Sequence, residues 1–353
     1  MSDLEIYRVT PRKARKYIEK ALIAGNVPFV QSSPGIGKSS IVKEIAKKYR
    51  LKLIDHRLST SAPEDLSGLP HFTVDAQGVR RASFIPFDIF PLSTDPLPEG
   101  YDGWLLFFDE FNSAPREVQA AAYKVILDGM VGQSHLHERV RIVCAGNLAS
   151  DRAITNDLST AMQSRLVHIE MMHDFDEWYE DVAIAHDYDM RIRTYVSYRQ
   201  SELMDFRPEH NEKTFNCPRT WEFLNRMVKG MATEELDEYT GLFAGTITSA
   251  SAISFVAFTK LFDNIPKMSQ ILADPHNCFQ PMDPGTRFAT IGHMLENVDD
   301  KNLEKCCIYV NRMSTDVRIM FYRTLMVQHP EWRKTPTFAS AMVDLTRYLN
   351  STD

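Results

Sequence analysis

The sequence predicts an α/β fold built on a mostly parallel sheet and followed by a long helical region. Three observations predict it. An apolar run, Val27 to Gln31, leads into Ser33-Pro34-Gly35-Ile36-Gly37-Lys38-Ser39 and then into a helical pattern from Ser40 to Lys48, the order in which a phosphate-binding loop is built. Four more apolar runs (Leu51 to Ile54, Trp104 to Phe108, Val140 to Ala145, Leu166 to Ile169) interleave with helical patterns at Arg116 to Leu127 and Thr160 to Gln163, as parallel-sheet proteins require. Beyond about residue 175 glycine and strand signals thin, and helical periodicity takes over, with breaks near Pro208, Pro218, Gly241, Pro266 and from Asp274 to Gly285.

Residues 11 to 24 open with Pro11 and place Ala14, Tyr17, Ile18, Ala21 and Leu22 at helical spacing, with Arg12, Lys13, Arg15, Lys16 and Lys20 at the other positions. Gly25-Asn26 ends that helix. A Pro- and Gly-rich region from 62 to 103 reads as an insertion, with a hairpin expected over Leu69 to Ser83 around Asp75-Ala76-Gln77-Gly78.

The 353 residues carry 40 Lys and Arg against 47 Asp and Glu, a formal charge of −7, which argues against a generally basic nucleic-acid coat protein. With 44% hydrophobic and 25% charged residues, wholesale disorder and collagen-like chains are excluded. Five scattered cysteines, the adjacent pair Cys306-Cys307 included, offer no CxxC spacing and read as reduced thiols. Met1-Ser2-Asp3-Leu4-Glu5 is not a secretory leader, and the most apolar runs are too short to span a bilayer, so a cytoplasmic protein without a membrane partner is expected.

The loop from Ser32 to Ser39 fits GxxxxGK[ST] except that Ser32 replaces the first glycine. Gly35 and Gly37 let backbone N–H groups converge on a phosphate, Lys38 neutralises β and γ oxygens, and the Ser39 hydroxyl suits Mg²⁺. The expected ATP-binding set is Ser33, Pro34, Gly35, Ile36, Gly37, Lys38, Ser39 and Ser40. The apolar run Trp104 to Phe108 delivers Asp109 and Glu110 at its end, where open α/β sheets place their sites; Asp109 would hold Mg²⁺ through water and Glu110 would polarise the attacking water. A third strand ends in Gly146-Asn147, whose amide can both donate and accept without adding charge. His71, His135 and His137 lack the spacing of a zinc site.

Together these elements resemble the AAA+ ATPases, in particular the MoxR-like branch. The likeness rests on Pro34 to Ser39, on Phe108-Asp109-Glu110-Phe111-Asn112-Ser113-Ala114-Pro115 followed by Val118-Gln119, on Ala145-Gly146-Asn147, on Gln163-Ser164-Arg165-Leu166 and on His56 to Ser59 through Pro63 to Pro70. It covers about residues 10 to 260. It implies a three-layer αβα domain over residues 1–175, a helical lid over 176–260 and a helical extension over 261–353. It further implies that Asn147 is sensor 1 and that Arg165 is an arginine finger reaching a neighbour's γ-phosphate, with Arg152 a rival for that role. Arg219, in Pro218-Arg219-Thr220, is implied as sensor 2. Ser32 and Leu166 depart from the family pattern, and Ser32 is expected to alter affinity without abolishing binding. Hairpins near 69–83 and 129–138 resemble the branch's two insertions, which face the pore or a partner.

A site completed by a neighbour's arginine requires self-assembly, and the resemblance implies a hexameric ring that remodels a protein client, in relatives often a VWA-domain protein. The alternative is a nucleic-acid motor or a replication or packaging accessory, supported by the basic helix at 12–20 and by Arg191, Arg193 and Arg199. A nucleotide switch without turnover needs neither Glu110 nor Asn147, and a small-molecule kinase lacks the Asp-Glu pair with its downstream Asn and Arg.

Overall fold

The computed structural model describes residues 8–74, 76–151, 156–209 and 211–349. The chain divides into two compact units at Asp174 and Phe175.

The first unit begins with β1 (Arg8–Val9) and α1 (Pro11–Ile23), then β2 (Val27–Ser32), α2 (Lys38–Lys48) and β3 (Leu51–Arg57). A short α3 (Pro63–Ser67) leads to the hairpin β4 (Leu69–Val74) and β5 (Arg80–Ile85). Then come β6 (Gly103–Asp109), α4 (Arg116–Asp128), the small hairpin β7 (Met130–Val131) and β8 (Ser134–His135), β9 (Val140–Asn147), α5 (Thr160–Gln163) and β10 (Leu166–Met171). Six strands form one sheet in the order β1-β10-β2-β9-β6-β3, every pair parallel. All five strands read from the sequence are in it. β1 was not read, because two residues carry no periodicity.

Side-chain alternation sorts the core into two layers. Leu105, Phe107, Val143 and Ala145 pack with α1 and α2 on one face, and Leu106, Phe108, Ile142 and Cys144 pack with α4 and α3 on the other. Every residue of β6 is buried, which explains why it reads as an unbroken apolar run. This is the three-layer αβα arrangement. Consecutive strands β2 and β3 are separated by β9 and β6, so the connections diverge between them and leave a crevice at the C-terminal strand ends.

The second unit is helical: α6 (Phe175–Trp178) running into a π-helical turn, then α7 (Met190–Tyr198), α8 (Pro218–Val228), α9 (Thr240–Ala244), α10 (Ser249–Thr259), α11 (Met268–Ala273), α12 (Pro284–Asn297), α13 (Leu303–Val310), α14 (Thr315–Gln328) and α15 (Pro336–Leu349). Its core is one cluster extending in sequence from Trp178 to Leu345. Cys306 and Cys307 lie inside it, and burial pushes their thiols up to about 12 and about 11, so neither is a nucleophile at neutral pH. No described helix is long and apolar enough to cross a membrane.

Candidate functional site

The site lies where β2, β9 and β6 end. Ser32 closes β2 opposite Asn147 of β9, and Phe108 of β6 pairs with Cys144 of β9. Three sequence-distant segments are thereby brought to one sheet edge.

The loop after β2 turns through Gly35 (φ 81°) and Gly37 (φ 113°), left-handed conformations that a Cβ disfavours. Gly37 is also the N-cap of α2, so the first-turn N–H groups of that helix, which lack intrahelical partners, open onto the loop. Ser32 keeps a negative φ, as the substitution for glycine demands, and is fully buried. Its carbonyl and hydroxyl each accept from Lys38 Nζ at 3.0 Å. Lys38 Nζ also donates to Asn147 Oδ1 at 3.3 Å. The serine therefore holds the lysine that glycine could hold only through its carbonyl.

Ser39 Oγ lies 3.4 Å from Asp109 Oδ2. A hydroxyl facing a carboxylate across that gap is a hard-oxygen donor set that fits Mg²⁺, with water completing the shell. The chain then bends sharply: Glu110 takes φ 55°, ψ 35°, an uncommon conformation for a residue with a Cβ, and its N–H donates to Asp109 Oδ1 at 2.9 Å. The bend separates the two carboxylates. Glu110 Oε2 accepts from Ser59 Oγ, and Oε1 faces Arg57 Nε at 3.6 Å. Asp55, two residues before Arg57, has its carboxyl raised above the ordinary range by partial desolvation and by the charge of Asp109.

Asn112 locks the third strand to this edge. Its Nδ2 donates to the Asn147 carbonyl at 2.8 Å, and its Oδ1 accepts from the Asn147 N–H at 3.1 Å. A Cβ on Gly146 would lie 2.2 Å from Asn112 Oδ1, so glycine is required by close approach. Gln119 is buried and donates to the Ala114 carbonyl at 3.1 Å, fixing the entry to α4.

Arg165 is not at this edge. It precedes Leu166, which pairs with Val27 at the start of β2, whereas the phosphate loop follows Ser32 at its end. Five residues of strand, roughly 16 Å at about 3.3 Å per residue, separate the two. Arg165 is exposed, donates to the Ala161 carbonyl at 2.6 Å and lies 5.4 Å above the Tyr123 ring. Arg219 opens α8 in the helical unit and is exposed. Arg152 lies outside the described residues.

Sequence reasoning missed Ser59 and Arg57 as partners of Glu110 and quoted Asn112 only as part of a motif. The signal for Asn112 was its position two residues after the acidic pair. Arg57 and Ser59 likewise stood only in a motif segment, and only the pairing of β3 with β6 brings them to Glu110.

No known protein family matches the chain, and no curated protein matches it. Among solved structures the chain is similar to a mutant RuvB of Thermotoga maritima, at 13% identity over 95% of this chain and 88% of that one, with a TM-score of 0.40. It is also similar to a putative ATPase from Cytophaga hutchinsonii (14%, 96% and 90%, TM-score 0.35) and to NtrX from Brucella abortus (14%, 95% and 67%, TM-score 0.36). Likeness at this level transfers no activity. Fold and site define a three-layer α/β domain with a phosphate-loop conformation at its sheet edge, joined in sequence to an all-helical unit.

Proposed function

We propose that this protein is an AAA+ ATPase of the MoxR-like branch that hydrolyses ATP at the interfaces of a ring, with six subunits expected, and uses the cycle to remodel or activate a protein client such as a VWA-domain protein. The observation that carries the reading is the convergence of Lys38, Ser39, Asp109, Glu110 and Asn147 on one crevice edge.

In this reading the N–H groups from Gly35 to Ser40 cradle the phosphates, and Lys38 moves from Ser32 and Asn147 onto the β and γ oxygens. Ser39 and, through water, Asp109 would hold Mg²⁺, which supplies positive charge against the phosphate oxygens. Glu110, once released by Ser59, takes a proton from water as its oxygen bonds to the γ-phosphorus and the bond to the ADP oxygen breaks. Asn147 orients that water and donates to the γ-phosphate. Arg165, away from its own phosphate loop, takes the trans role that the resemblance implies and serves a neighbouring subunit. Arg219 keeps the sensor 2 role that the resemblance implies.

The test is phosphate release from ATP with Mg²⁺ by the purified protein and its Lys38→Ala and Glu110→Gln variants. Turnover by wild type alone supports the reading; equal release by all three removes it.

A further inference from the structure

Arg191, Arg193 and Arg323 of the helical unit are all withdrawn from solvent, and two of them have acids to meet. Arg191 Nη2 pairs with Asp189 Oδ2 at 2.8 Å, and Arg323 pairs with Asp176 and, at 3.7 Å, with Glu180. Arg193 of α7 is the most buried of the three, at 2% exposure, and makes no ion pair among the described residues. Its Nε and its Nη2 both lack a hydrogen-bond partner. These two nitrogens form one edge of the guanidinium, the planar fork that meets two oxygens of a single anion side by side. Burial at this depth also takes Arg193 out of any nucleic-acid-binding surface, against the alternative read from sequence.

The surroundings are fixed and supply no counter-charge at bonding distance. The guanidinium lies 5.8 Å from the Tyr179 ring centroid, and that ring is held by a 2.8 Å bond between its hydroxyl and Thr324 Oγ1 and by stacking on Phe175. A π face steadies a cation but leaves the in-plane N–H groups of the fork unmet. Tyr179 also begins the π-helical turn Tyr179–Ile184, a rare departure from the α-helix that is frequent at functional sites. Partial desolvation and the charge of Asp189 raise the Glu296 carboxyl, and Arg191 and Arg193 act against the rise, yet Glu296 and Arg193 form no ion pair. A guanidinium cannot shed its charge, so burying it unpaired is costly, and water in the fork would satisfy the N–H groups without supplying charge.

We propose that the Nε–Nη2 fork of Arg193 holds a small oxyanion, one carboxylate or phosphate group, as a built-in ligand of the helical unit. Both groups place two oxygens at the spacing of the fork, whereas chloride meets it at one point. The side chain is closed off from solvent, so the anion belongs to the folded core, enters as that core opens and stabilises the unit by binding the folded chain alone. The inference depends neither on the nucleotide site nor on self-assembly.

The experiment is thermal unfolding of the full chain, dialysed free of oxyanions, in rising inorganic phosphate or formate against sodium chloride at equal ionic strength. Phosphate also suits the loop at Lys38, so every sample carries Lys38→Ala, alone or with Arg193→Met or Arg193→Lys. Lys38→Ala should gain a few degrees for each tenfold rise in anion above its dissociation constant, and the stronger of the two responses tells phosphate from carboxylate. Arg193→Met should be at least as stable without anion and should respond only as far as phosphate stabilises proteins in general. Arg193→Lys keeps the charge without the fork and should bind about tenfold or more weakly; it decides the matter if the methionine variant does not fold. A response in either Arg193 variant equal to that of Lys38→Ala overturns the proposal. So does a flat response to both anions when ion chromatography finds no oxyanion released from the denatured protein; destabilisation by Glu296→Gln would then mean that Glu296 itself turns onto the fork.

Discussion

Asn147 Oδ1 accepts a hydrogen bond from Lys38 Nζ at 3.3 Å across 109 positions of sequence. The contact joins the end of β9 to the phosphate loop, and it occupies the lysine that a nucleotide must claim. Asn147→Ala should therefore leave ATP affinity within a few-fold of wild type and lower turnover by about a hundredfold, as losing one positioned donor does. Affinity and turnover falling together in nucleotide titration and steady-state kinetics would place Asn147 in binding instead.

Glu110 is held by Ser59 and Arg57. A hydrogen bond to a charged group contributes about 1.5–3 kcal/mol, so Ser59→Ala should free the carboxylate and raise basal phosphate release several-fold. Adding Glu110→Gln to Ser59→Ala should silence the gain. A Ser59→Ala rate at or below wild type would mean that this contact does not restrain Glu110.

Gly146 faces Asn112 with no room for a methyl group. Gly146→Ala should destabilise the protein by about 1–3 kcal/mol, as overpacking in a filled core does, and should disturb Asn147 through the broken Asn112 pair. Chemical denaturation reads the first effect and ATP turnover the second.

The central site was legible in sequence because each of its parts is local: glycines at forced left-handed turns, carboxylates directly after an apolar strand, an amide after another. What was not legible depends on strand neighbours. Ser59 reaches Glu110 only because β3 lies beside β6, and the distance of Arg165 from its own phosphate loop follows only from β10 pairing with β2. Helix α3 escaped notice because five residues in a Pro-rich insertion show no periodicity.

Partial burial lowers the pKa of His56 and His293 below the ordinary 6.5. Depressed values mean that the folded state binds fewer protons than the unfolded chain, so their contribution is present above pH 6.5 and is lost as pH falls. Asp55 and Glu296 are raised and act in the opposite sense, their contribution being gained as pH falls toward the ordinary values of 3.8 and 4.5. The thermal midpoint should fall between about pH 7.5 and 5.5. A flat or rising profile in differential scanning fluorimetry would contradict the burial of these imidazoles.

Arg165 acts across an interface in this account, so Arg165→Ala and Glu110→Gln subunits, each inactive alone, should recover activity when mixed. Recovery would come from interfaces that pair an intact Glu110 with an intact Arg165. No recovery at any ratio would make Arg165 a surface residue stacked on Tyr123.

The most direct measurement records light-scattering mass and phosphate release on one sample, with and without ATP and Mg²⁺. The account predicts a nucleotide-dependent shift to a ring of several subunits together with turnover that Glu110→Gln abolishes. A monomer that binds ATP yet neither assembles nor releases phosphate would contradict it.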